Sequence, residues 1–237
     1  MTLLNQRILI IGGSTGMGLA AAQTLAARGA EVLVAGRSRE KLDTALTHIR
    51  GKAAGYTVDF TDAASLADLF GQVGQIDHLV LAAAQDPAWG PFAEVKVSAL
   101  RHAMDHKLLG YWGSLQAALP HLRRDGSVVL LTGAASRFAL PGSAGLAAVN
   151  GGIVAMAHTL ARELAPLRVN VVSPGLIDTP VYDAMPAEAK AGMFAGTAEK
   201  LLVGRTGVAE DIAPAIAFLI ENGFATDMVL DLDGGAR

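Results

Sequence analysis

Ile8-Leu9-Ile10-Ile11-Gly12-Gly13-Ser14-Thr15-Gly16-Met17-Gly18 is an apolar run that breaks into glycines and resumes as the helical pattern Leu19-Ala20-Ala21-Ala22. It reads as strand, tight turn, helix. Gly12 lets the chain leave the strand sharply, Gly16 lets backbone N–H groups approach a pyrophosphate, and Gly18 lets the helix pack closely on the sheet. The helix N-terminus then faces the phosphates. The spacing is Gly-x3-Gly-x-Gly, and its plainer alternative is a glycine-rich turn that only links strand to helix.

Outward from this stretch, strand and helix alternate. Strands are predicted at Glu31 to Ala35, Gly55 to Val58, Asp77 to Ala82, Ser127 to Thr132, Arg168 to Val172 and Met228 to Leu230. Helices are predicted at 39–50, 63–73, 97–119, 144–164 and 208–220. Right-handed βαβ crossovers make this one α/β domain over residues 1–237. The expected architecture is a doubly wound, Rossmann-type parallel sheet of about seven strands, helices on both faces, ligands at the strands' carboxyl ends. Residues 180–205 depart from the alternation. Pro180, Pro186, Gly192 and Gly196 punctuate an amphipathic stretch expected to serve as a substrate lid, with Met185, Met193 and Phe194 suggesting an apolar substrate.

Composition narrows the classes. The 237 residues are 51% hydrophobic with net charge −3 and no basic block, so nothing marks a nucleic-acid or anionic-membrane surface. No apolar stretch reads as long enough to span a bilayer and no signal peptide is evident, so a cytoplasmic protein is expected. The absence of cysteine excludes disulfides, thiolate catalysis and cysteine-ligated metal. His102 and His106 sit four apart, better read as a solvated helix face than as ligands, and no metal is expected.

The end of the second strand bears on cofactor choice. It reads Ala35-Gly36-Arg37-Ser38-Arg39, with no carboxylate to bind ribose hydroxyls and repel an added phosphate. Arg37 can make a bidentate contact to a 2′-phosphate with Ser38 adding a hydroxyl, or it can solvate the start of the next helix.

The glycine turn, Asp59-Phe60 after the third strand, Asn170, Pro174-Gly175 with Thr179, Gly204-Arg205 and the closing Asp231-Leu232-Asp233-Gly234-Gly235 together resemble the short-chain dehydrogenase/reductase family over nearly the whole chain. In that family's turn Ile11 replaces a Thr, and Thr15 stands where many NADP-dependent relatives carry a second basic residue. The resemblance implies an NADP(H) site formed by Gly12, Ser14, Thr15, Gly16, Met17, Gly18, Arg37, Ser38, Asp59, Phe60, Ala83, Asn150, Pro174, Gly175, Ile177 and Thr179. It also implies hydride transfer between a nicotinamide and a carbonyl or alcohol, and a homo-oligomer, dimer or tetramer, paired through the two long helices with Trp112 and Met156 as candidate contacts.

The family's reacting residues are a Tyr, a Lys four residues later, a Ser thirteen before the Tyr and an Asn on the preceding long helix. Registration on Leu160-Ala161-Arg162-Glu163-Leu164-Ala165 places Leu146 at the Tyr, Asn150 at the Lys and Gly133 at the Ser, and registration on Gly110 places Lys107 at the Asn. All four are changed. Lys107 and Asn150 are then the candidate catalytic pair, an exchange of amine and amide between facing helices. Lys107 alternatively extends to solvent, and Asn150 is alternatively a plain helix-face residue. Tyr111 reads as a packed aromatic more readily than as a partner of Lys107. Asp178 and Tyr182 flank the lid, and Asp86, Ser136, Arg137 and Ser143 lie in loops where substrate groups are read. Three functions follow: an NADP(H)-dependent oxidoreductase with a rebuilt proton relay, a cofactor-binding sensor or assembly subunit without redox activity, or a non-redox isomerase or cyclase.

Overall fold

The computed structural model describes residues 3–83 and 88–236. Alternation of side chains along each strand divides the core in two. In Arg7–Ile11 (β1), Ile8 and Ile10 face one layer while Leu9 and Ile11 face the other, and the same alternation runs through Glu31–Gly36 (β2). Gly16–Ala27 (α1) joins these strands, and Arg39–His48 (α2) leads to Ala53–Thr57 (β3). Ala63–Val73 (α3) has the bounds that its periodicity predicts. Asp62 caps it by accepting from the amides of Ala64 and Ser65. Ile76–Leu81 (β4) follows.

The predicted helix over 97–119 is three pieces: Val97–Ala103 (α4), a π-helical segment Met104–Leu109, and Gly110–Ala118 (α5). Leu122–Leu131 (β5) starts earlier than expected. Its Arg-Arg-Asp-Gly stretch reads as a turn, yet Arg123 ties it to Asp77 at 2.9 Å, and the pairing with β4 shifts register there. Ala144–Glu163 (α6) leads to Arg168–Pro174 (β6). Two short strands, Ile177–Asp178 (β7) and Gly207–Val208 (β8), pair with each other and bracket the stretch that contains Ala187–Ala198 (α7). Ala209–Glu221 (α8) and Val229–Leu232 (β9) complete the chain.

The sheet order is β3-β2-β1-β4-β5-β6-β9, parallel throughout. α1 and α8 pack on one face; α3, α5 and α6 pack on the other. The order reverses beside β1, so β1 and β4 diverge toward different neighbours and leave a crevice at their carboxyl ends. α6 is long and apolar enough to match a membrane span by length and composition alone, although its Val149, Ile153, Ala157 and Ala161 stripe packs on this sheet.

Candidate active site

The crevice is built from backbone first. At the end of β1, Gly12 takes φ +87°, and a Cβ there would stand 2.5 Å from Ala83 N, so the loops after β1 and β4 touch main chain to main chain. A Cβ on Gly18 would lie 2.1 Å from Gly12 O, which is why α1 can sit directly on the turn. Gly16 takes φ +53° with the Thr179 side chain 3.2 Å from where its Cβ would be. Thr15 occupies the N-cap of α1 without a side-chain cap bond, and no acid sits in the first turn. That helix start therefore keeps its positive end for a ligand anion.

A cleft of about 310 Å³ opens over this turn. Its wall brings together Gly12, Ser14, Thr15, Gly16, Met17, Arg37, Ser38, Phe60, Ala83 and Thr179 from the expected set. Gly36, Lys41, Ala82, Pro180 and Val181 join them. Gly18 lies beneath the turn. Pro174, Gly175 and Ile177 stand outside the wall: a Cβ on Gly175 would strike Asp233, and Ile177 is buried against Gly207. Asp59 also stands outside. Its carboxylate accepts from the Thr61 amide at 3.0 Å and hydroxyl at 2.7 Å, closing a local turn, and these bonds hold its pKa below the usual range.

Lys41 was not legible as a site residue. In sequence it is one more charged residue on an exposed helix face. The structure puts it one helical turn beyond Arg37, where both cations line the cleft with no carboxylate among the lining residues. Ser38 is primarily the N-cap of α2, its Oγ accepting from Lys41 N at 3.2 Å. A cleft walled by a glycine turn, an uncapped helix start and two cations at its far end fits the phosphates of a dinucleotide.

The second half of the crevice is made of side chains. Lys107, carried by the π segment, donates from Nζ to Asn150 Oδ1 at 3.0 Å and to Thr132 O at 3.3 Å. Burial, with no carboxylate to offset it, pushes Lys107 down to about 8. Asn150 is 1% exposed on α6. Gly133 lies directly beneath, its missing Cβ 3.0 Å from Asn150 Nδ2. Leu146 is half-buried one turn earlier on α6. Lys107 thus turns inward to Asn150 rather than out to solvent.

Other candidates are committed elsewhere. Tyr111 is fully buried, its hydroxyl shared between Ala83 O at 3.1 Å and Leu131 O at 3.2 Å, and burial pushes its pKa up. It struts the ends of β4 and β5. Ser136 donates to Gly133 O and Ser143 to Leu140 O, while Arg137 pairs with Asp231 and Asp233. Asn170 fastens β6 to the following chain, donating to Ala225 O and accepting from Met228 N. Asp86 lies outside the described residues. In the bracketed stretch, Lys190 of α7 bridges Asp178 at 3.0 Å and Asp183 at 2.9 Å, and Tyr182 meets Phe194 edge-on.

Comparison with known proteins agrees with this geometry. Residues 12–237 match a family model described as enoyl-(acyl carrier protein) reductase. The chain is 30% identical over 250 residues to 3-oxoacyl-(acyl-carrier-protein) reductase of Thermotoga maritima, covering 99% of each. It is also 30% identical to the short-chain dehydrogenase/reductase ATR9 of Stachybotrys chlorohalonatus, covering 99% of this chain and 98% of that one. Among solved structures it resembles a small-chain dehydrogenase in complex with NADPH, at TM-score 0.84, 31% identity and 98% coverage of both chains. The MalC reductase/Diels-Alderase of Malbranchea aurantiaca superposes at TM-score 0.91, with 26% identity and coverage of 99% and 97%. Sheet order, glycine turn and full-length similarity together make this chain a member of the short-chain dehydrogenase/reductase family of oxidoreductases.

Proposed function

We propose that the protein is an NADP(H)-dependent oxidoreductase that interconverts an apolar carbonyl compound and its alcohol, with Lys107 replacing the family's tyrosine as proton donor. The observation that carries this is the 3.0 Å contact between Lys107 Nζ and Asn150 Oδ1. The two functional groups that the family uses beside the reacting atoms are both present, exchanged between facing helices. A bound nicotinamide dinucleotide would supply or accept the hydride.

The chain's own residues do the rest. Amides at the start of α1 and the turn around Gly12 to Gly16 hold the pyrophosphate, and Phe60 walls the cleft beside it. Arg37 and Lys41 hold the 2′-phosphate; a charge-assisted arginine contact of about 1.5–3 kcal/mol supports a preference for NADPH of roughly ten- to hundredfold. Lys107, titrating at about 8, is mostly protonated at neutral pH and gives its proton to the oxygen of the reduced carbonyl. The stretch 180–205 closes over the apolar substrate, with Lys190 latching α7 to Asp178 and Asp183. Two copies meet through α5 and α6, where Trp112 is half exposed.

NADPH absorbance followed across a panel of ketones and aldehydes tests the reading. Oxidation that depends on the carbonyl supports it. The likeness to a reductase/Diels-Alderase favours a second reading, a cyclase that uses the dinucleotide as scaffold. Substrate consumed with unchanged mass and no loss of NADPH would select that alternative.

A further inference from the structure

We infer that the carboxamide of Asn150 is the donor that holds the substrate oxygen, and that residue 133 is glycine because this amide fills its side-chain space. The inference rests on the oxidoreductase reading and adds the residue that binds the reacting oxygen. An ammonium only donates, so the Lys107 contact fixes Oδ1 as the end of the amide that faces the lysine. Nδ2 is turned toward Gly133, 3.0 Å from where a Cβ would be. Among the described residues no acceptor takes it. The family position that carries an oxygen-binding serine has no side chain here, and an N–H donor from the neighbouring helix occupies the vacated volume.

The pairing also strengthens that donor. Positive charge on the carbonyl end of an amide draws density from its nitrogen and makes the N–H a better donor in a low-dielectric site. Lys107 uses two of its three N–H groups on Asn150 and Thr132. The third meets no acceptor among the described residues and can reach the same substrate oxygen. In the reductive direction a bound reduced dinucleotide would supply the hydride to the carbonyl carbon, leaving the C=O π pair on oxygen. Asn150 Nδ2 stabilises that charge, and the oxygen takes a proton from Lys107, which becomes a neutral amine and is reprotonated by water.

Asn150 and Gly133 therefore form one unit, which a cycle of substitutions isolates. Asn150→Asp keeps the side chain's size and its contact with Lys107 but removes the N–H. Turnover should fall by 10²-fold or more with NADPH affinity within threefold; turnover within threefold of wild type overturns the assignment. Gly133→Ser should lower turnover at least tenfold in the wild type, where its side chain collides with the amide. In an Asn150→Ala background it should raise turnover at least tenfold by supplying a hydroxyl in the same place. Loss in both backgrounds overturns the inference. Melting temperatures without any dinucleotide give an independent readout. Gly133→Ser should destabilise the wild type more than the Asn150→Ala protein, and equal shifts overturn the shared-volume geometry. If no variant oxidises NADPH, the oxidoreductase reading fails, and the melting cycle still decides whether the two residues exclude each other.

Discussion

The two halves of the crevice are built from different materials. The phosphate half is mainly backbone: a turn whose glycines bring main chain within van der Waals range of main chain, and a helix start left uncapped. The reacting half is side chains from two separate elements, the π segment and α6, set against main chain just past the end of β5. Backbone cradles tolerate little change, because a Cβ at Gly12 or Gly18 meets a rigid neighbour. A side-chain centre can be rewired, provided that the functional groups return to the same volume. On the proposed reading, the first half keeps most of the family's pattern while the second exchanges its amine and amide.

The sharpest break of this comparison is Lys107→Met. If the reacting half is rewired and not lost, turnover should drop by about 10²–10⁴-fold while NADPH affinity, set by the other half, changes less than threefold. Comparable losses in both would mean that the halves are not separable. The pH profile sharpens the point. Reduction should decline as pH rises through about 8 and Lys107 loses its proton. The same group makes stability rise between about pH 8 and its unfolded value of 10.5, since its folded pKa is depressed and the unfolded chain there binds more protons. Falling activity with rising stability over one pH interval is the expected signature.

Arg37→Ala probes the other half. NADPH should bind roughly ten- to hundredfold more weakly, read by calorimetry, with NADH affinity unchanged. Lys41→Ala should act in the same direction, and a loss for both cofactors would assign the cations to the pyrophosphate instead.

An acid-side control keeps unfolding apart from chemistry. His78 lies toward the amino end of β4, away from the crevice, its ring bonded to Ser127 and Gln6 at 2.8 Å, and burial pushes it down to about 4. Its folded pKa is depressed, so stability is lost as pH falls from 6.5 toward 4. The loss should be on the order of 2 kcal/mol between pH 7 and pH 5, read from urea midpoints, and it should shrink in His78→Gln. The smallest expected effect belongs to Ser38→Ala. Loss of the α2 cap should cost about 1 kcal/mol of stability, while NADPH affinity falls less than threefold. A larger affinity loss would make Ser38 a phosphate ligand.

Much of the fold was legible because its signals are local and periodic. The run from Ile8 to Gly18 carries strand, turn and helix in eleven residues, and Asp62 with the Leu66, Leu69, Phe70 spacing fixes α3. Register on Leu160 to Ala165 also brought out Asn150, and register on Gly110 brought out Lys107, which the structure joins. Lys41 stayed hidden because an exposed helical lysine has no periodic signature. The early start of β5 stayed hidden because Arg123-Arg124-Asp125-Gly126 has turn composition, and its tie to β4, through Leu122 opposite Ile76 and Arg123 to Asp77, is distant in sequence. Asp59 carries the signal of a turn former as well as that of a ligand, and in the structure its carboxylate closes an Asx turn with Thr61.

The π segment Met104–Leu109 bears on how such a centre can arise. A π turn closes i→i+5 bonds where an α turn closes i→i+4, so it accommodates one residue more without moving the helix ends. Each helical residue advances about 100° around the axis, so an insertion that is not absorbed would rotate everything on one side of it relative to the other. A single insertion event, absorbed as a bulge, can thus present a different side chain to a fixed site while α4, α5 and the sheet stay in place. Removing one residue from 104–109 should close the bulge and re-aim the side chains within it, swinging Lys107 away from Asn150 in a protein that still folds.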